Sequence, residues 1–221
     1  MGAHMIKAVL FDMDGTLVDT ERLGIKTFIQ AAKDFGAELP VSVIKSFIGH
    51  NKTDVVRLTE EYLGSHELAE HIFERQSNYR AEWAPTQLEP KAGVHECLSA
   101  LKAAGYRLEL VTSSRTATAE RNLKLFDLQG YFETKTCGEE TAKGKPEPDI
   151  YLKGAEKLGL EPAECVVVED SYNGALSGLN AGMSVIVIPD IVEIPADVAD
   201  RTAAVLKSLH EVPAAVDALN S

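Results

Sequence analysis

Two acids follow an apolar run close to the start of the sequence. Asp12 and Asp14 come directly after Ile6–Phe11, a run rich in strand-forming residues, and Gly15 follows them. This pattern predicts a strand that is buried on both faces and ends at the acids. Two carboxylates at such a strand end can divide a reaction between them. One can attack a substrate as a nucleophile while the other gives and takes protons.

Three later segments also place polar side chains after apolar runs or before helices. They are Thr112-Ser113-Ser114, Gly144-Lys145-Pro146 and Glu169-Asp170. In a parallel sheet with helices on both faces, ligands bind outside the carboxyl ends of the strands. The three segments are therefore expected to meet the first two acids at one edge of a sheet.

The collected side chains suit metal-assisted chemistry on a phosphate ester. Carboxylates are hard oxygen ligands that favour Mg²⁺, while hydroxyls, backbone N–H groups and the Lys145 ammonium suit phosphate oxygens. Asp12 is the expected nucleophile, and its attack on phosphorus would give an aspartyl-phosphate. Asp14 is the expected general acid and base, with only its backbone carbonyl directed to the metal. Asp170 and Glu169 are the further metal candidates.

The order of predicted elements indicates how these residues are positioned. Helical patterns run from Asp19-Thr20 to about Trp83, and the turn-rich stretch Ala84–Pro90 closes them. From Val94 onward helices alternate with strands, which means βαβ units and a parallel sheet. The strands are expected at about 107–112, 134–137, 165–169 and 185–188, and the helices at about 93–104, 115–125, 148–158 and 172–181.

The predicted fold class is α/β, a Rossmann-like doubly wound parallel sheet with an all-helical insert after its first strand. The expected boundaries are 5–19 with 91–221 for the α/β domain and 20–90 for the helical domain. Residues 1–4 are interpreted as an expression remnant before the start at Met5.

Composition excludes several classes of protein. The formal net charge of the 221 residues is −12, and no basic run offsets it, so a nucleic-acid partner is not expected. No apolar stretch is long enough to span a membrane. Cys97, Cys137 and Cys165 are widely spaced and form no CxxC pair, which favours a reducing cytoplasm. A monomer is expected.

Four segments in this order resemble the motifs of the haloacid dehalogenase superfamily. They are Asp12-Met13-Asp14-Gly15-Thr16, Val111-Thr112-Ser113, Lys145-Pro146 and Glu169-Asp170-Ser171 with Gly174 close behind. The resemblance extends over the chain from Met5. The insert is similar to the helical-bundle cap of the β-phosphoglucomutase-like and sugar-phosphate phosphatase members.

The resemblance also implies roles for individual residues. Thr112, the Ser113 amide and Lys145 would bind the transferring phosphoryl group. Asp170 would be a metal ligand, and Glu169 would either be a ligand or hold metal-bound water. The candidates for substrate contact from the cap are His50, Lys52 and Arg75.

The function implied is a Mg²⁺-dependent phosphatase for a small phosphorylated sugar or polyol. The main alternative is a phosphosugar mutase of the β-phosphoglucomutase type. Gly24 stands where those mutases have a histidine, and Gly49-His50-Asn51-Lys52 lacks their arginine, so hydrolysis is the favoured reading.

Three further alternatives fit less well. A halide-releasing dehalogenase would not need the second acid. A phosphorylation-switched receiver module has no helical insert and carries its phosphorylated aspartate later in the chain. A non-catalytic sugar-phosphate binder would not need the complete set of acids.

Overall fold

Six strands form one parallel sheet in a computed structural model of the protein, which describes residues 5–48, 50 and 52–221. The strands are β1 (Ala8–Phe11), β2 (Arg107–Thr112), β3 (Thr134–Cys137), β4 (Cys165–Glu169), β5 (Ser184–Val187) and β6 (Ala204–Val205). Their order in the sheet is β3-β2-β1-β4-β5-β6. A central first strand with neighbours added on both sides is the doubly wound arrangement, so the predicted fold class is confirmed.

Within the described part of the chain, helices precede or follow these strands and also form the insert. They are α1 (Thr20–Asp34), α2 (Val41–Lys45), α3 (Lys52–Leu63), α4 (His66–Gln87), α5 (Val94–Ala103), α6 (Thr116–Leu125), α7 (Asp149–Leu158), α8 (Tyr172–Asn180), α9 (Ala196–Ala199) and α10 (Val212–Ala218). Among the described residues, none of these helices has the length and apolarity that crossing a membrane would require.

The chain divides into two compact units, residues 5–18 with 90–221 and residues 19–89. The first unit contains the whole sheet, and the second contains α1 to α4. Each junction lies one residue earlier than the expected boundary. The predicted expression remnant, residues 1–4, lies outside the described residues, as do Gly49 and Asn51 of the segment Gly49-His50-Asn51-Lys52.

The helical unit has an apolar core of its own. Phe28 of α1 packs edge-on against Phe47 with ring centroids 5.3 Å apart, and Ile72 of α4 is fully buried beside them. The prediction of a turn over Ala84–Pro90 is wrong for residues 84–87, because α4 continues to Gln87. Pro85 has no N–H to donate within this last turn, and α4 ends two residues after it.

The two central strands explain where the first acid lies. All residues of β1 and β4 are buried, as expected for strands covered on both faces. Phe11 is paired with Val168, and the Asp12 N–H donates to the Val168 carbonyl at 3.0 Å. The pairing therefore extends one residue beyond β1 and places Asp12 beside the end of β4.

One acid, Glu109, lies inside the sheet and has no exposed surface. Its two carboxylate oxygens accept hydrogen bonds from the hydroxyls of Thr134 and Thr136 on β3, both at 2.6 Å. Burial raises the pKa of Glu109 above its ordinary value, although the two hydrogen bonds oppose that effect. The threonines thus make an otherwise costly acid tolerable in the core.

We expect Glu109→Gln to be at least as stable as the unaltered protein at alkaline pH. Because the folded-state pKa of Glu109 lies above its unfolded-state value, ionisation lowers the stability of the folded protein as pH rises through the folded-state pKa. Glutamine keeps the shape without the charge, and threonine hydroxyls can accept hydrogen bonds as well as donate them. Urea unfolding across mildly acidic to alkaline pH measures this, with exposed Glu96→Gln as the control for lost charge. A less stable Glu109→Gln protein at alkaline pH would contradict the prediction.

Candidate active site

The chain turns sharply after Asp12 and brings the second acid back toward the strand ends. Gly15 has a φ of 86°, a conformation that side chains with a Cβ rarely adopt. A Cβ at this position would also collide with the carboxylate of Asp170. Gly15 therefore serves both the turn and the close approach of Asp170, whose Oδ1 accepts from the Thr16 hydroxyl at 3.2 Å.

A buried lysine joins the ends of β1 and β4. Lys145 Nζ lies 2.6 Å from Asp12 Oδ1 and 2.6 Å from Glu169 Oε1, and its side chain is 8% exposed. Burial opposes a charge here, but the carboxylates of Asp12 and Glu169 raise the pKa of Lys145 well above its ordinary value. Lys145 is therefore a fixed positive charge at the predicted nucleophile.

Glu169 is held on both carboxylate oxygens. Oε1 accepts from Lys145 and from the Tyr151 hydroxyl at 2.9 Å. Oε2 accepts from the N–H groups of Asp170 and Ser171, at 3.0 and 3.1 Å, and from the Ser171 hydroxyl at 3.0 Å. Burial works against the charge, but the Lys145 ammonium and these hydrogen bonds lower the pKa of Glu169. Glu169 thus anchors Lys145 to the start of α8.

The donor set fits a divalent cation. Oxygens of Asp12, Glu169 and Asp170 lie within 4.8 Å of one another, and all three residues are buried. Burial, together with the charges of Glu169 and Asp14, raises the pKa of Asp12 well above its ordinary value against the opposing effect of Lys145. Closely spaced buried carboxylates with one ammonium between them are an environment that a hard cation would stabilise.

At the end of β2, two hydroxyls meet Asp14. Thr112 Oγ1 donates to Asp14 Oδ2 at 3.2 Å, and Ser114 Oγ donates to the same oxygen at 2.8 Å. Ser113, whose amide was expected to bind phosphate, is exposed at this edge. The contact from Ser114 was not predicted. The hydroxyl-rich run marked this segment, but sequence spacing does not say which hydroxyl turns toward which acid.

In the helical unit, Arg75 holds α4 to α1. Its Nε donates to Asp34 Oδ2 at 2.9 Å, and the Tyr79 hydroxyl donates to the same oxygen at 2.6 Å. The Arg75 guanidinium also lies over the Tyr79 ring, 4.2 Å from its centroid. The hydrogen bonds from Tyr79 and Arg75 lower the pKa of Asp34 to about 2. Arg75 therefore has a structural role, and its contact with substrate stays a prediction.

The other two candidates in the helical unit also lie near acids. Lys52 Nζ is 3.7 Å from Glu70 Oε2, and His50 Nδ1 is 3.8 Å from Asp54 Oδ2. Both side chains are well exposed, at 60% and 42%. Exposed pairs of this kind contribute little to stability, so they leave both side chains able to exchange partners. Their role as substrate contacts likewise stays a prediction.

We expect Gly174→Ala to disturb the site through Glu169. Gly174 lies in the first turn of α8, and a Cβ there would overlap the Glu169 carboxylate. Moving that carboxylate would release Lys145, and a displacement of this kind costs roughly a hundredfold in kcat/KM. Gly144→Ala is the matched control, because a Cβ there meets no atom within 4 Å. Steady-state kinetics of both variants checks this, and equal activities would contradict it.

Comparison with known proteins places the chain in a defined group. A family model described as haloacid dehalogenase-like hydrolase matches residues 9–188. Hexitol phosphatase A of Escherichia coli K12 is 36% identical over 209 residues, covering 93% of both chains. A phosphorylated carbohydrates phosphatase of Thermotoga maritima is 30% identical over 178 residues, 80% of this chain and 82% of that protein.

A solved structure agrees with this grouping. A HAD family hydrolase of Deinococcus radiodurans R1, with bound phosphate and sodium, has a TM-score of 0.79 and 27% identity. The match covers 97% of this chain and 96% of that one. The likeness therefore extends over the helical insert as well as the sheet.

Proposed function

Because the chain belongs to the haloacid dehalogenase-like hydrolases and is a phosphoric monoester hydrolase, we propose that it is a Mg²⁺-dependent phosphatase with Asp12 as its nucleophile. Membership confirms the family resemblance of the four motifs. The observation that carries the proposal is the buried contact of Lys145 with Asp12 and Glu169 beside Asp170. It sets a fixed cation and two further acids, Glu169 and Asp170, around the Asp12 carboxylate, which can attack.

In the first step, the phosphoryl group moves from the substrate to Asp12. Lys145, the Thr112 hydroxyl and the Ser113 amide bind phosphoryl oxygens and orient phosphorus toward Asp12. An Asp12 oxygen forms a bond to phosphorus while the bond to the leaving oxygen breaks. Asp14 gives its proton to that oxygen, which departs as an alcohol.

In the second step, water removes the phosphoryl group from Asp12. Asp14, now a carboxylate, takes a proton from the attacking water. The water oxygen forms a bond to phosphorus while the bond between Asp12 and phosphorus breaks. Inorganic phosphate leaves, and the Asp12 carboxylate is restored beside Lys145. Asp12 and Asp14 thus return to their starting protonation states.

The residues of the strand ends would also hold the cation. Asp12, Asp170 and the Asp14 carbonyl are the proposed direct ligands. When bound, Mg²⁺ would neutralise charge that develops on the phosphoryl oxygens. Because five donors already occupy the two oxygens of Glu169, we assign Glu169 to holding Lys145 and the start of α8 rather than to direct ligation.

The proposed substrate is a small phosphorylated sugar or polyol. The names of the two phosphatase relatives, one for hexitols and one for phosphorylated carbohydrates, support this class. We also propose that the enzyme is a cytoplasmic monomer, in keeping with three buried cysteines that form no disulfide and with the acidic charge.

Phosphate release tests the proposal. The purified protein is incubated with a panel of hexitol phosphates, sugar phosphates, phosphoglycolate and nucleotides, once with Mg²⁺ and once with a chelator. We expect release from one compound class that the chelator abolishes and added Mg²⁺ restores. Phosphate release that the chelator does not change would contradict the metal requirement. No phosphate release from any ester would contradict the proposed phosphatase activity.

The same assay separates hydrolysis from the mutase alternative. Gly24 lies within α1, in the position where the family's mutases are expected to have a histidine. Conversion of β-glucose 1-phosphate to glucose 6-phosphate with a bisphosphate primer, without net phosphate release, would support the mutase. We expect phosphate release and no such conversion.

A further inference from the structure

Ser114 has no task in the reaction proposed for this protein, yet it contacts the residue that moves protons. Its hydroxyl donates to Asp14 Oδ2 at 2.8 Å, a shorter contact than the 3.2 Å from the Thr112 hydroxyl. We propose that Ser114 is a positioning residue that holds the Asp14 carboxyl in the orientation needed to protonate the leaving oxygen. The inference rests on the proposed function.

Thr112 cannot hold Asp14 throughout the reaction. A hydroxyl has one proton to donate, and the Thr112 oxygen already accepts from the Ser114 N–H at 3.0 Å. When Thr112 donates to a phosphoryl oxygen, it no longer donates to Asp14. The Ser114 hydroxyl then remains to fix the Asp14 carboxyl while substrate is bound.

The backbone of Ser114 is itself fixed by a neighbouring strand end. Its carbonyl accepts from the Gly138 N–H at 3.0 Å, just beyond the end of β3. The two loops approach so closely that a Cβ on Gly138 would collide with the Ser113 carbonyl. The position of the Ser114 hydroxyl is therefore set by both β2 and β3, which suits a residue that must hold another one still.

The hydrogen bond selects which Asp14 oxygen delivers the proton. With Oδ2 accepting from Ser114, the proton of the neutral carboxyl is carried by Oδ1. During transfer to Asp12, the electron pair of the breaking phosphorus–oxygen bond goes to the leaving oxygen, which takes this proton. Ser114 itself neither gives up nor receives an atom in this step. A carboxyl free to rotate would present its proton in the right direction less often.

Two esters with different leaving groups test this. The oxygen of an alkyl ester must take up a proton as it leaves, whereas p-nitrophenolate is stable enough to leave as the anion. For Ser114→Ala we expect kcat/KM to fall by about tenfold with the fastest alkyl phosphate of the panel. With p-nitrophenyl phosphate we expect kcat/KM to be unchanged, because kcat/KM reports the reaction only through transfer to Asp12.

Two further variants separate positioning from a structural effect. Ser114→Thr keeps the hydroxyl and should restore most of the activity toward the alkyl ester. On an Asp14→Asn background, Ser114→Ala should cause no additional loss, because a residue that acts through Asp14 has nothing left to position. Equal losses with both esters, or a full additional loss on that background, would overturn the inference alone. Inactivity of the unaltered protein toward every ester would overturn the proposed function and the inference with it.

Discussion

Asp12→Asn is expected to lower kcat by at least about a thousandfold, as the loss of a nucleophile does in other enzymes with covalent intermediates. The side-chain amide cannot form the bond to phosphorus, and it removes one charge from the acids beside Asp170. The fold should persist, because the backbone N–H of residue 12 still bonds to the Val168 carbonyl and Lys145 still pairs with Glu169. Phosphate release and circular dichroism measure the two expectations together.

Asp127→Asn is the matched control for this substitution. Asp127 is exposed and has a φ of 53°, a left-handed conformation that asparagine tolerates well, so full activity is expected. Deamidation of the asparagine introduced by Asp12→Asn would restore the original protein, so the mass of the variant is checked before and after the assay. Activity of Asp12→Asn above a small fraction of the original, with the mass unchanged, would refute Asp12 as nucleophile.

Lys145→Met is expected to reduce both activity and stability. Lys145 would bind phosphoryl oxygens, and removing one such preorganised group costs about a hundredfold to a thousandfold in kcat. The substitution also leaves Asp12 and Glu169 buried without their cation, and breaking a buried pair of this kind costs roughly 3–5 kcal/mol. Kinetics and urea unfolding measure the two effects separately.

The pH dependence of unfolding shows whether the stability loss in Lys145→Met comes from the unpaired charges of Asp12 and Glu169 or from poor packing. Unpaired buried carboxylates have a raised folded-state pKa, so the loss of stability in Lys145→Met should be small in acid and grow as pH rises through that pKa. Lys143→Met, two residues earlier and 65% exposed, should change the unfolding free energy by less than about 0.5 kcal/mol. A pH-independent loss in Lys145→Met would mean that packing, rather than charge, is responsible.

The strand ends of the site could be predicted because apolar runs stop directly at polar residues. β2, β3 and β4 begin and end where the sequence indicated, so Thr112 and Glu169 lie at the expected edge of the sheet. β6 was missed because its two residues are too few to show a period. α10 was also missed, since seven residues give only two helical turns.

Contacts between distant residues could not be predicted in the same way. The partner of Arg75 is Asp34, 41 residues earlier, and nothing in local periodicity joins them. Glu109 alternates with apolar neighbours and so resembles a solvent-facing strand residue until β3 supplies its two hydroxyls. The contact between Ser114 and Asp14 depends on how the chain leaves β2, which the sequence pattern does not define.

The central claim is that Asp12 carries the phosphoryl group during turnover, and trapping that group tests it most directly. The enzyme is quenched in acid while it turns over the best ester of the panel, and its peptides are then mapped by mass spectrometry. We predict one added phosphoryl group on the peptide that contains Asp12, and none in the Asp12→Asn variant. Turnover with no phosphoryl group on the protein, or with the group on another residue, would contradict the claim.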